Sequence, residues 1–380
     1  MTNGVQQAVP IAPRSSLLLP ATAQCAVCKT TDGLSRCASC KAVSYCCREH
    51  QKTDWQSHKS ACNVVKKASS KLEFEDQRLR THKGNMFTPP DPFHTSVGRF
   101  WEFPGASPYL HARLSLVKAL LKQRTREAVE TALYHSRDML RLAHFDNVEV
   151  RRLMPAMYMR LGLDQECYDF VKWWHFAMQD CRNDFQPATP YLTMKGEDIY
   201  EPIFYAEREI VSPDVGHMFA LTLLKVRVLV DLRTLQHSVQ IAIDYEMGYT
   251  PATLDHFRGK LVSSVLLHDP NLYQRITDMD GLKVSIATLE SQITELYTMI
   301  VKKHEHIFCK LLCPVDGKGK DWLTADPDDM HCEACGEVAK VLQENHASWA
   351  ETPGALDVIE TVALKDTASC SARVAQTTGH

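Results

Sequence analysis

The chain has 380 residues, of which 44% are hydrophobic and 23% charged, and a formal charge of -3. That composition belongs to an ordinary globular protein and excludes a general binder of polyanions, which needs a strong basic excess. No apolar run approaches the roughly 18 residues of a membrane span; the longest candidate, 218–230, is broken by Lys225 and Arg227.

Residues 1–24 carry Pro10, Pro13 and Pro20 among small and polar residues and read as a flexible tail. They have neither a basic start nor a long apolar core, since Leu17-Leu18-Leu19 is short and bracketed by prolines. A secretion signal is not expected. With the cysteines outside the first cluster scattered along the chain, a reducing compartment is expected: cytoplasm, nucleus or both.

The densest chemistry lies at 25–62, which holds seven of the 14 cysteines and two histidines. Cys25-x2-Cys28 and Cys37-x2-Cys40 each form a tight turn that aims two sulfurs at one ion, the usual first half of a structural zinc site. Four further donors complete two sites. Cys46 and His50 are four residues apart, as are His58 and Cys62, and on a helix that spacing puts both members on one face. Two four-coordinate sites without an open position suit structural zinc, two Zn²⁺ ions in all. So short a unit has little core, and metal binding would supply much of its folding free energy. Cys47 is a spare thiol that competes with Cys46 for its ligand position.

Spacing leaves the pairing open. A sequential arrangement joins Cys25, Cys28, Cys37 and Cys40, then Cys46, His50, His58 and Cys62. An interleaved one joins Cys25, Cys28, Cys46 and His50, then Cys37, Cys40, His58 and Cys62. Disulfides are the competing reading, and they need an oxidising compartment.

The order Cys-x2-Cys, Cys-x2-Cys, Tyr45-Cys46, His50-Gln51, Trp55-x2-His58-x3-Cys62 resembles a MYND-type zinc finger, over about a tenth of the chain. His50 stands where the family more often has cysteine; imidazole binds zinc equally well. The resemblance implies the interleaved pairing and a module that binds proline-containing peptides of partner proteins. On one helix Gln51, Trp55, His58 and Cys62 share a stripe, so Gln51 and Trp55 would form an aromatic-and-amide ledge beside the second zinc. An indole face suits the proline rings of a polyproline-II peptide, which arrives already ordered. The bland reading makes Trp55 the largest core residue of the module.

Nucleic-acid binding by the finger is not expected. It has six Lys/Arg against three acids, and six thiolates with two Zn²⁺ lower that excess to about +1, far from a basic stripe.

Downstream, a charged connecting helix is expected to about Lys83, followed by a breaker-rich boundary from Pro89-Pro90 to Pro104-Gly105. Ser107 suits an N-cap and Pro108 the first helical position, with Leu110, Leu114, Val117 and Leu121 at helical spacing. A second helix spans 125–144, and Asp146-Asn147 makes a capping turn. A third holds Val150, Leu153, Met157 and Leu161, kinked or shifted by Pro155 and ended by Gly162. The fourth runs from Asp164 through Trp174 and Met178. These four read as consecutive pairs, and 132–168 loosely resembles a tetratricopeptide repeat.

Beyond an irregular 187–213, which can pack over the helices through Tyr200, Phe204 and Tyr205, further helices are expected at 213–243, 251–268 and 275–312. The last carries a seam of Ile286, Leu289, Ile293, Leu296 and Ile300 for ordinary helix packing. A polar loop at 314–330, a short helix at 335–349 and a frayed end complete the chain.

His304, His306, Cys309 and Cys313, with His331, Cys332 and Cys335, invite a third metal site. They lack a second knuckle, so buried core cysteines are the favoured reading. No phosphate loop, Gly-x-Ser-x-Gly or His-Glu-x-x-His occurs. A lysine methyltransferase with such a finger has a strand- and glycine-rich catalytic domain, whereas this chain has 16 glycines and a helical pattern. His175, with Cys167 or Cys181 nearby in sequence, reads as core rather than a catalytic pair.

The expected architecture is mainly α: a small zinc-stabilised module ahead of a large all-helical, helical-repeat-like domain. Its divisions are a tail at 1–24, the finger at 25–62, a charged helix and proline-rich linker at 63–105, a helical domain at 106–365 and a frayed tail at 366–380. The expected function is a non-enzymatic adaptor with two zinc ions and proline-containing protein partners. An enzyme component, methyltransferase-like or ubiquitin-ligase-associated, is the competing class.

Overall fold

The computed structural model describes residues 19–20, 22–180, 191–205, 212–246, 248, 250–315 and 319–377. Most of the expected N-terminal tail, Cys181, Pro187 and the last three residues of the expected C-terminal tail lie outside them. The described residues form 14 α-helices and a small two-stranded sheet, and 66% helix places the chain in the mainly-α class. None of these helices is long and apolar enough to cross a membrane.

A hairpin opens the described fold, with β1 (Ser35–Arg36) antiparallel to β2 (Ser44–Tyr45). Helix α1 (Arg48–Arg80) follows at once and runs for 33 residues. The charged stretch expected as a separate connecting helix is therefore the second half of α1. Only a narrow strip of it is buried, namely His58, Cys62, Val65 and Leu79. The breaker-rich segment after it folds back beneath its end, through α2 (Pro92–Thr95) and two 3₁₀ turns at Phe100–Glu102 and Pro104–Ala106. There Phe100 packs its ring 5.3 Å from Phe93 and 5.2 Å from Phe103, and Leu79, Leu110 and Leu142 complete a second small core. Gly105 is required at this point, because a Cβ would sit 1.8 Å from Thr88 Oγ1.

Four helices then stack in sequence: α3 (Ser107–Leu121), α4 (Arg126–Leu142), α5 (Met154–Arg160) and α6 (Asp164–Asp180). Each packs on the next, and α1 lies along α3. Ser107 is not the cap of α3; Ala106 precedes the helix and makes no side-chain cap bond. Thr125 does cap α4, its Oγ1 accepting from Ala128 N at 3.3 Å. Asp146, with φ +50°, turns the chain and accepts from Val150 N and Arg151 N at 2.9 and 2.8 Å. Pro155 sits in the first turn of α5 and moves its start, while Gly162 ends it at φ +73°.

The stretch after Pro213 is apolar all round, a pattern stable only inside other helices. It forms one helix, α7 (Val215–Asp244), capped by Asp214 and covered by 191–205, where Ile199 and Tyr205 are buried. Expected single helices are broken here. The 251–268 stretch is α8 (Pro251–Arg258) and α9 (Ser264–Leu267), because Val262 N and Ser263 N turn away to the buried Asp231 carboxylate. The 275–312 stretch divides into α11 (Met279–Lys303) and α12 (Ile307–Leu312), after α10 (Leu272–Thr277). Asp278 ends α10 and caps α11 through Gly281 N. The Ile286–Ile300 seam packs against α7 within the chain.

Helix α13 (Glu333–Glu351) is longer than expected, and α14 (Ala355–Thr377) occupies most of the expected frayed tail. Buried ion pairs fasten α13 to α5: Arg160 meets Glu351 with two 2.8 Å contacts, and Arg152 just before α5 reaches Glu337 and Glu344. Removing one partner strands a buried charge. Glu351→Ala should lower stability by about 3–5 kcal/mol, and the pair Arg160→Met with Glu351→Met should recover most of it. Urea unfolding of the wild type and the two variants measures this; an equal loss in single and double variants would refute the coupling.

Candidate metal centre

Two identical turns build the site. In each Cys-x-x-Cys the following residue closes the turn: Lys29 N donates to Cys25 O at 3.0 Å and Lys41 N to Cys37 O at 2.9 Å. Both lysines take the left-handed conformation, with φ +65° and +56°. That backbone costs an L-residue roughly 1–2 kcal/mol, so the turns are held by what they bind rather than by local preference.

The hairpin then sets which donors meet. Cys37 N donates to Val43 O at 2.8 Å, and Ala26 N donates to Ser44 O at 3.0 Å. β2 therefore runs between the two knuckles, pairing with β1 along one edge and with Cys25 along the other. Cys46 follows β2 directly, and α1 supplies His50, His58 and Cys62. The result is interleaved. Cys25, Cys28, Cys46 and His50 form one group of four donors, and Cys37, Cys40, His58 and Cys62 form the other.

Distances decide between zinc and disulfides. Ligands of one tetrahedral zinc lie about 3.8 Å apart for two sulfurs and about 3.6 Å apart for a sulfur and a nitrogen. Here Cys37 and Cys62 Sγ are 3.9 Å apart, Cys28 and Cys46 Sγ 3.5 Å. Cys40 Sγ is 3.4 Å from His58 Nε2, and Cys25 and Cys46 Sγ are 3.5 and 3.1 Å from His50 Nδ1. A disulfide needs about 2.05 Å, and every one of these cysteines is free. Both groups are compatible with zinc.

Electrostatics points the same way. Burial pushes the Cys25 thiol up, but backbone groups at Cys28, Cys46 and Val27 outweigh it and bring it down to about 6. Burial likewise opposes, and the backbone at Cys40 with the His58 ring overcomes it, at Cys37, which also falls to about 6. Their neighbours move the other way. Burial and the thiols of Cys28 and Cys25 push Cys46 up to about 12; burial and Cys40 do the same to Cys62. One thiolate per site suppresses the next, and only a cation favours them all at once. Binding therefore releases protons, and affinity falls as pH falls.

The two sites differ in exposure. All four donors of the second are buried, whereas in the first only Cys25 is, and Cys28 is exposed. Cys47 faces solvent beside the first site and joins neither group. Behind the second site, Tyr45 is buried, lies edge-on to His58 at 6.2 Å and donates from its hydroxyl to Asp54 at 2.7 Å. Trp55 is 37% exposed and also meets His58 edge-on, at 6.3 Å, so it is not a core residue. Gln51 is half-buried one turn before it.

Residues 25–62 match the family model described as MYND finger. Residues 25–62 are a MYND finger. Egl nine homolog 1 from Homo sapiens and from Mus musculus are each 45% identical to the chain over 38 residues, which are 10% of this chain. The matched part is 9% and 10% of those proteins, so the chain spans about a tenth of the curated relatives it matches. No solved structure matches.

The MYND finger is docked on the helical part. Thr125 Oγ1 donates to Ala42 O, Ser44 Oγ donates to the buried Glu127 carboxylate, and finger and helices share one core cluster. Neither the lysine turns nor this docking shows in the sequence, because their partners are far away or purely backbone.

Of the other sequence candidates, Cys167 is buried with its thiol near Pro155 O at 3.7 Å, and His175 packs 4.8 Å from Tyr205. They are core, as expected. Cys309, Cys313 and Cys332 are exposed and Cys335 half-buried, against the buried-core expectation. The structure gathers His331, Cys332 and Cys335, and leaves His304, His306, Cys309 and Cys313 outside any group among the described residues.

Two outcomes follow for the zinc-loaded protein. A competing chelator should strip the finger's two ions in two phases, the faster from the site around exposed Cys28, as read by native mass spectrometry; loss of both in one step would contradict the asymmetry. Lys29→Val, a β-branched residue in a left-handed turn, should weaken the first site about tenfold, while Lys29→Gly should not. Zinc competition titrations compare the two.

Proposed function

We propose that the chain is a non-enzymatic protein–protein interaction adaptor, in which the MYND finger takes proline-containing peptides on Trp55 and Gln51. The carrying observation is Trp55 itself, a large aromatic ring left open to solvent, backed by the imidazole of a buried ligand position and one helical turn from an amide side chain. A fixed indole face suits a proline ring, because neither partner loses much conformational freedom on contact.

In this reading the helical part at 106–365 serves further partners, and the stacking of α3 to α6 on one another supports that role. An open groove of about 500 Å³ runs along α4, lined by Leu133, Tyr134, Arg137 and Leu161, and Tyr134 there is 67% exposed. It lies on the helix that receives the finger, which would hold two partners side by side. The near-neutral charge of the finger weighs against nucleic acid as a partner. Cytoplasm, nucleus or both is the proposed location, in keeping with unpaired thiols.

The test is a partner capture with the intact protein beside Trp55→Ala, after both are shown to hold the same zinc. Loss of an aromatic anchor costs about 2–4 kcal/mol, so specific proline-containing partners should fall below detection. An unchanged set of partners would make the finger a scaffold and place recognition in the helices.

A further inference from the structure

We propose that His331, Cys332 and Cys335 form a third metal site, for one thiophilic d10 cation of the zinc class, with one coordination position open to solvent. Cys335 Sγ lies 3.0 Å from Cys332 Sγ and 3.1 Å from His331 Nε2. Two thiols and an imidazole are the donors that select zinc among the common divalent metals. Among the described residues no fourth donor joins the group, so the site differs in kind from the two closed sites of the finger.

The backbone holds this trio in place. Cys332 caps α13, its sulfur accepting from Cys335 N at 3.3 Å, a position where hydroxyl or carboxylate oxygens are the usual choice. The segment that brings His331 to the helix is pinned from both sides. Gln343 Nε2 donates to Trp322 O at 3.1 Å and to Ala325 O at 2.7 Å. Pro327 O approaches Gly336 so closely that a Cβ there would sit 2.7 Å from it. Glycine is needed for the loop to reach the first turn of α13.

Magnitudes favour a metal over a disulfide. Tetrahedral zinc asks the donors to spread by about 0.5–0.8 Å. His331 and Cys332 are exposed, so side-chain rotation supplies that without moving the backbone. A disulfide asks the sulfurs to close by more, about 0.95 Å, to about 2.05 Å, and uses two of the three donors. Charge is also balanced. Two thiolates and a neutral imidazole cancel the dication, so no net positive charge is left at the helix N-terminus, where it would oppose the dipole.

The experiment is a zinc count on the full chain, kept reduced with a phosphine, dialysed against a zinc buffer and read by native mass spectrometry. The wild-type protein should hold three ions, and the double variant Cys332→Ser with Cys335→Ser should hold two. Serine is a good cap, so helix content should be unchanged in circular dichroism. His331→Ala should retain the third ion with affinity lowered at least tenfold. Cys37→Ser should lose an ion from the finger and keep this one. Two ions in the reduced wild type would overturn the proposal, as would three in the double serine variant.

Discussion

Cys25 and Cys37 ionise easily within their knuckles, and each makes ionisation of its neighbours harder, so the N-terminal module is frustrated until a dication enters each group. Coordination then does what the sequence gives no core to do. α1 starts at Cys47 with no side-chain cap bond and buries few of its 33 residues. Its beginning is fixed because His50 is joined to the first knuckle, and His58 and Cys62 to the second. Once the start is fixed, Val65 and Leu79 are delivered along α3. Metal binding thus reaches, through one rigid helix, to packing well outside the finger.

The second link is polar and small. The Thr125 hydroxyl has one proton to give and two lone pairs to offer, and it gives the proton to Ala42 O and accepts from Ala128 N. A single side chain therefore starts α4 and receives the loop between the second knuckle and β2. Beside it, Glu127 lies in the first turn of α4, where a carboxylate is favoured by the helix dipole, and accepts from Ser44. The finger is seated on a helix end rather than tethered by a linker.

What was legible in the sequence follows from the range of the interactions. The eight donors are set by spacings of three and four residues, and the Asp146 turn and the Ile286–Ile300 seam are equally local; all appear where they were expected. The breaks inside 251–268 and 275–312 were not legible in full. The first depends on Asp231, about thirty residues upstream, taking the amides of Val262 and Ser263. The cap at Asp278 is local and could have been found from its spacing to Gly281. Helix α14 begins after Gly354, which reads as a terminator, yet at φ +74° it only turns the chain before Ala355 starts again. Exposure of Cys332 and Cys335 was missed for a related reason, since buried and surface cysteines have the same letter and only the docking of the loop onto α13 separates them.

The ring arrangement in the finger couples the proposed peptide surface to one zinc site more than to the other. Tyr45 and Trp55 both meet His58 edge-on, and Tyr45 is tied by its hydroxyl to Asp54, the residue before Trp55. The His58 ring is held by the buried site, where its Nε2 lies 3.4 Å from Cys40 Sγ. The outer site, around Cys28 and His50, adjoins this stack through Cys46, the residue after Tyr45, and through the first turn of α1. Preorganisation of the indole is therefore set first by the site that solvent reaches least, whose ligand His58 meets the ring directly.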